Sequence, residues 1–444
     1  MSLDKMVDSV QLDANLTAIA NKIRSAGGIS NTLSFPNDFI SAIDELGRED
    51  LTVPKDVDFI DYDGRLIYSY TAEEFLALEE LPANPVNKGL VAQGWNWTLA
   101  DAKEIVEKCG ALVIGQNYTT DTGRTRIYIN IPSQPEGSQY KAEVRLISTV
   151  KNSPKIYWGD DTESIWTANA NANGTITHYY SEPGHYIIEI EVLDGQISSF
   201  GGTGSNQKIL GNNRIMYYMT KVEIGDNVTR FGYCPFRGAW NLQSISIPTT
   251  MTLMYDYNEN VFESFHLGAV VFPKEFTTNR YRYMFMGSSA IKYISIPKGM
   301  HNCHIEGSQR LLRKFIMPSL EPYSGTAITV KPYEANCLTH YYVGGTYATI
   351  ATDHCRSSAL KKLWIPSTVT SIAATAFAYN YYLEEVHIEA ETPPTLANVN
   401  AFSSVPSACI FYVPYSANHS ILEAYKTATN WSTYASQMQE EPQS

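Results

Sequence analysis

The sequence predicts a multidomain, mainly β protein: a helical hairpin, a small α/β domain, a β-sandwich and a long repeat solenoid closed by a helical cap. Three observations carry this. Two short amphipathic helical patterns open the chain. Alternating apolar runs with turn residues fill its middle. A seven-residue phrase (apolar, x, x, apolar, x, apolar, usually Pro) then recurs nine times through the second half.

The first element is LDANLTAIANKIRSAGG, which spaces Leu12, Leu16, Ile19, Ala20 and Ile23 along one helical face and stops at Gly27 and Gly28. FPNDFISAIDEL restarts at Pro36 and Asn37, with Phe39, Ile40, Ile43 and Leu46 on one side. Two such helices are too small to be stable alone, so they are expected to pack on each other and on a partner chain. Leu16, Ile19, Ile23, Phe39 and Ile43 are the expected docking residues. The pattern resembles a short N-terminal module of tail-fibre and baseplate-associated proteins from phages and prophages of Gram-positive bacteria. That resemblance covers residues 1–50 and implies docking to tail or baseplate proteins.

Residues 51–135 read as a small α/β domain. VDFIDYDGRLIYSYT alternates around Asp63-Gly64, a hairpin signal. TAEEFLAL opens with Thr71 and carries Glu74 at the capping-box position; TLADAKEIVEKC opens the same way with Thr98 and Asp101. The run resembles a small domain that follows the docking module in the same tail proteins. Residues 138–200 are β-rich. KIYWGDD and HYYSEPGHYIIEIEV resemble the two signature strands of a PKD-type immunoglobulin-like sandwich, with Asp161 where that family has glycine. The resemblance implies a spacer or binding module. GGTGS (Gly201–Ser205) is expected to be a flexible joint to the repeats.

The repeats occupy residues 205–444. Clear copies start at Leu242, Leu267, Ile291, Leu312 and Leu360, looser ones at Met219, Leu338, Leu383 and Ala408, advancing by 21 to 26 residues. That is the period of leucine-rich repeats. Alternation puts Ile245 with Ile247, Ile294 with Ile296, and Leu363 with Ile365 on one strand face. One such strand cannot bury its face, but stacked copies bury a continuous ladder. The closing proline has no N–H and ends each strand. LKKLWIPSTVTSIAATAFAYNYYLEEVHI resembles the BspA-type leucine-rich repeat of bacteria; the earlier copies keep the strand and lose the Ala-Phe half. The ending, Thr392 to Met438, resembles the closing unit of such arrays, with a helix near Ser420 to Thr427 and Trp431 and Tyr434 over the open end.

Composition narrows the function classes. A 44% hydrophobic and 18% charged content describes a folded chain. A net charge of -13 argues against nucleic-acid or anionic-membrane partners, which require clustered Lys and Arg. Six cysteines without a C-x-x-C pair predict neither a disulfide framework nor zinc, and read as buried small apolar residues from a reducing compartment. The first ten residues have neither the charge nor the apolar core of a signal peptide, and no stretch reaches the length of a membrane span. No cofactor is expected. Asp160, Asp161 and Glu163 contain the ligand type for Ca²⁺, but a backbone-bonded turn is the simpler reading. His301, Cys303 and His304 are one isolated cluster, and no metal site is assigned to them. Phosphate loops, nucleophile elbows and H-E-x-x-H helices are missing, so no catalytic residue is assigned.

The expected binding residues are aromatic. Tyr281, Tyr283, Tyr342, Trp364, Tyr381 and Tyr382 lie in or near repeats, with Tyr342 and Trp364 at outward strand positions. Such a surface suits glycan rings or a protein. The expectation is therefore a non-enzymatic virion protein: a tail fibre that assembles in the host cytoplasm and docks by its N-terminus. Its C-terminus would hold a bacterial surface polysaccharide or protein, with a homotrimer one option. The alternative is a cell-surface leucine-rich-repeat adhesin; a glycan depolymerase ranks below both.

Overall fold

Each of the nine phrases folds as a strand, because each presents two alternating apolar side chains to one side. The computed structural model describes residues 54–442 except 134–138, 205–206, 212–213, 255–260, 277–284, 286–287, 301–309, 317–335, 344–347 and 358. The chain forms two compact units, Met1–Val53 and Pro54–Ser444. The docking residues Leu16, Ile19, Ile23, Phe39 and Ile43 belong to the first and lie outside the described residues.

The second unit opens with β1 (Val57–Ile60) and β2 (Leu66–Tyr70), an antiparallel hairpin whose turn holds Gly64 at a φ of 89°. A short helix, Ala72–Leu76, follows with a complete Thr71/Glu74 capping box. After β3 (Leu90–Trp95), a longer helix runs Leu99–Cys109. Thr98 caps its start, and Gly110 ends it in the left-handed conformation that glycine adopts without penalty. With β4 (Leu112–Thr120) the strands make one sheet, ordered β2-β1-β4-β3.

The strands β5 (Thr125–Ile131), β6 (Tyr140–Ser148), β7 (Lys155–Tyr157), β8 (Glu163–Ile165), β9 (Gly174–Tyr180), β10 (Gly184–Glu191) and β11 (Ile197–Phe200) form two further sheets. Residues from both, among them Ile127, Val144, Trp158, Trp166, Tyr180 and Ile188, share one core. β5 falls in the 51–135 segment by sequence, yet it pairs with β10 and so belongs to these sheets.

These sheets do not stop at the repeats. β12 (Met219–Glu223), the first repeat strand, pairs with β5, and β14 (Ser244–Ser246) pairs with β12. On the opposite side β13 (Arg230–Phe231) and β15 (Leu253–Met254) extend from β11. Gly201 to Gly204, the described part of GGTGS, is therefore not a free joint. Gly201 N–H donates to Arg145 O at 3.1 Å, Gly202 N–H to Gln207 O at 3.0 Å, and Tyr233 N–H to Gly202 O at 3.0 Å. Backbone groups satisfied in this way hold the segment in one packed turn.

The remaining repeats stack as β16 (Ala269–Val271), β17 (Tyr293–Ser295), β18 (Lys314–Ile316), β19 (His340–Tyr342), β21 (Lys362–Ile365), β23 (Glu385–Ile388) and β25 (Ile410–Val413). β26 (Met438–Glu440) completes an eight-stranded parallel sheet. The return segments add β20 (Thr349–Ile350), β22 (Ser371–Ile372) and β24 (Thr395–Leu396) as a small back sheet. The closing helix spans Ser420–Thr427. Trp431 lies buried over the last repeat, its Nε1–H donating to Pro394 O at 2.7 Å. Such a cap supplies the neighbour that a terminal repeat lacks.

Candidate functional site

An outward face of a parallel strand sheet is where a repeat solenoid usually has room for a ligand. Here the α/β sheet occupies most of it. β4 lies across β14, β16, β17 and β18. Gly115 on β4 makes this approach possible, since a Cβ there would meet the Val271 methyls at 2.4 and 2.5 Å. Asn96 Nδ2 donates to Phe272 O at 2.9 Å, Trp97 Nε1 to Ile296 O at 3.1 Å, and Asn117 Nδ2 to Ile247 O at 3.1 Å. Lys314, fully buried, reaches Asp58 at 2.5 Å and Asp56 O at 3.1 Å. Ile316, Tyr342 and Trp364 enter one apolar core with Phe59, Trp95 and Ile105.

This overturns two expected binding residues. Tyr342 and Trp364 do point away from the solenoid core, but the α/β domain covers them, and both are buried. Burial pushes the Tyr342 hydroxyl well above the usual tyrosine range, and its hydrogen donates to Glu389 at 3.3 Å. Tyr281 and Tyr283 lie outside the described residues, as do His301, Cys303 and His304. Tyr381 and Tyr382 are exposed, at 53% and 63% of their surface, on the turn leading into β23. Arg356 sits over the nearby Tyr379 ring at 4.6 Å.

The cover ends near β21, leaving the strand face open over β23 and β25. There Trp364, His387 and Tyr412 stack in register, with ring centroids 5.2 and 4.9 Å apart. His387 Nδ1 is 2.6 Å from Glu441 and its Nε2 3.1 Å from Glu385. Burial works against the charge of Glu385, yet His387 and Lys362 hold its carboxyl below the usual range. Trp364 stacks between His340 and His387, and His387 between Trp364 and Tyr412, so these two offer little ring face to a ligand.

A second aromatic line runs along the edge where the chain enters each strand. Two residues before the first apolar position of the phrase stand Tyr217, Trp240 and Phe265. Tyr217 and Trp240 are parallel at 4.3 Å, and Phe265 follows at 5.7 Å. Trp240 and Phe265 remain 37% and 47% exposed. His266 Nδ1 approaches Trp240 O at 2.9 Å, so in the neutral ring this nitrogen donates and Nε2 is left as an acceptor. His266 also lines an open groove of about 540 Å³, together with Asp63, Gln243, Lys292 and Leu311 among others. Individual repeats give no hint of this edge. It emerges only when the copies are aligned and the residues before each phrase are read as a column.

No set of three or more His, Cys, Asp or Glu side chains among the described residues is arranged to hold a metal ion. Asp160 instead accepts from Thr162 N–H at 3.2 Å and meets His178 at 2.7 Å. Cys109, Cys234, Cys355 and Cys409 are buried; burial pushes the Cys409 thiol up to about 12. Among the described residues no helix is long and apolar enough to cross a membrane.

The covered interface carries one acid-sensitive group. His340 is buried on β19, facing Asp56 from the α/β side and Lys314 and Lys362 from neighbouring strands. Burial, aided by the two lysines, holds its imidazole below the usual value, against the pull of Asp56. The unfolded chain thus takes up a proton before the folded one does. Stability is full above the unfolded value, about 6.5, and is lost as pH falls below it. Thermal melts between pH 7.5 and 5 should show a falling midpoint, and His340→Gln should flatten that part of the profile. Equal slopes in both proteins would remove His340 from the account.

The array has the period of leucine-rich repeats. The family model for the BspA type leucine rich repeat region matches residues 215–308 and 335–433, in six copies, so these two segments carry BspA-type repeats. Among solved structures, the chain is similar to a leucine-rich repeat protein from Bacteroides ovatus ATCC 8483. The match has 13% identity and a TM-score of 0.27, covering 58% of this chain and 71% of that one. No curated protein matches the sequence.

Proposed function

We propose that this chain is a non-catalytic recognition protein that holds a bacterial surface polymer through its repeats while its N-terminus is docked to a phage or phage-like tail. The observation that carries the recognition part is the exposed aromatic edge of the repeat array, Tyr217 to Phe265, linked through His266 to an open polar groove. Rings with hydrogen-bonding neighbours suit a polymer bound without covalent chemistry. Weak single contacts would gain strength from several copies on one particle. The tail placement rests on the resemblance of residues 1–50, with the PKD-like segment 138–200 as a spacer.

The second reading, a bacterial surface adhesin, is favoured by the BspA-type repeats themselves. Immunogold electron microscopy of an induced culture separates the two, using antibodies raised against the full chain. Gold at the tips of released tails supports the virion reading. Gold on the envelopes of uninduced cells, with bare particles, replaces it with the adhesin.

A further inference from the structure

We propose that the groove at the strand-entry edge of the early repeats, lined by Gln243, His266 and Lys292, is a binding site for an uncharged, hydroxyl-rich glycan chain. This rests on the recognition reading above and gives it a place and a ligand class.

The groove has a fixed wall. The Asp63-Gly64 hairpin tip of the α/β domain rests on Gly268, where an added Cβ would meet Asp63 O at 2.5 Å. A Cβ on Gly64 would in turn meet Gly268 C at 3.0 Å. The two glycines let backbone touch backbone, so the wall is placed by main chain. Along the groove, Gln243, Gly268 and Lys292 hold the same position in three successive repeats. Asp63 O occupies the space over Gly268, so the hairpin tip stands between two long polar side chains, two strand spacings apart, roughly 9–10 Å. That span suits neighbouring units of a linear sugar polymer.

The chemistry of the lining selects among ligands. Gln243 donates and accepts, Lys292 donates, Asp63 accepts, and His266 offers an acceptor nitrogen once Nδ1 is engaged. This mixture fits hydroxyl groups, which are donors and acceptors at once. One cation opposite one anion gives a nucleic acid too little positive charge. The exposed rings of Trp240 and Phe265, linked to the groove through His266, offer an apolar face to sugar C–H surfaces.

A selective probe is built in. Of the seven tryptophans in the chain, Trp240 is exposed, while Trp95, Trp97, Trp158, Trp166, Trp364 and Trp431 are each at most 8% exposed. Acrylamide quenching of the full chain therefore reads Trp240. We would titrate it with a soluble glucan, mannan and galactan and with purified envelope polysaccharide. Shielding of Trp240 by at least one of these is expected. Gln243→Ala with Lys292→Ala, which leaves the rings in place, should weaken that polymer at least tenfold. Trp240→Ala with Phe265→Ala should do the same in a pull-down with whole envelopes, and Tyr381→Ala with Tyr382→Ala should not.

No shielding by any polymer, or undiminished binding by the Gln243→Ala/Lys292→Ala protein, overturns the site. If wild-type protein still binds envelopes, and both groove variants bind them equally, recognition stands and the groove is wrong. If wild-type protein binds no envelope, the recognition reading fails as well.

Discussion

Replacing Lys314 by alanine should cost about 3–5 kcal/mol, the range for removing one partner of a buried ion pair. The loss comes less from the missing attraction than from what remains. Asp58 is fully buried on β1, and without Lys314 its charge has Ser69 Oγ–H, at 2.6 Å, as its neighbour instead of a cation. Burial already holds the Lys314 amine below its usual value, which shows the cost of keeping the pair dry. Lys314→Met combined with Asp58→Leu should therefore recover most of the loss, since well-packed apolar groups often replace buried pairs without penalty. Urea unfolding of the single and double variants measures both. A single variant within about 1 kcal/mol of wild type would contradict the buried pair.

Trp364→Ala is the second large effect, about 3–5 kcal/mol, typical of truncating a buried aromatic ring. Trp364 sits between the end of the helix Leu99–Cys109 and the repeat sheet; a Cβ on Gly110 would be 3.4 Å from its ring. It also stacks on His340 and His387, at 6.1 and 5.2 Å. The expected phenotype is a lower melting midpoint together with weaker seating of the α/β domain. A variant with wild-type stability that loses only envelope binding would restore Trp364 to the exposed role its strand position suggested.

That reversal shows what the sequence could and could not convey. Phrase periodicity is local, so nine strands, the closing helix and the Thr71 and Thr98 caps were legible. Which layer covers an outward strand residue is not local. Tyr342 alternates with Tyr341 in the same way whether its ring meets water or Phe59. One signal was available. LGAVVFP and LRKFIMP are apolar at outward Val271 and Ile316 as well as inward, as parallel strands covered on both faces are. The supposed joint at Gly201 failed for a related reason. Glycine marks a flexible linker, but it also marks a close backbone approach. Gly232, whose Cβ would be 2.6 Å from Gly201 O, marks the second case. The groove residues Gln243 and Lys292 carry no motif at all, and only their shared column brings them together.

The seat of the α/β domain also sets a schedule for the newborn chain. Asp58 leaves the ribosome 256 residues ahead of Lys314. At ordinary synthesis rates that is a wait on the order of tens of seconds. For most of it Ile60 and Val113 lack their cover, because the repeat residues Ala269, Val271 and Tyr293 that will pack on them do not yet exist. Contacts this distant in sequence close late and slowly. High-level expression of the chain is thus expected to depend on chaperones that shield this early sheet, or on slower translation at low temperature.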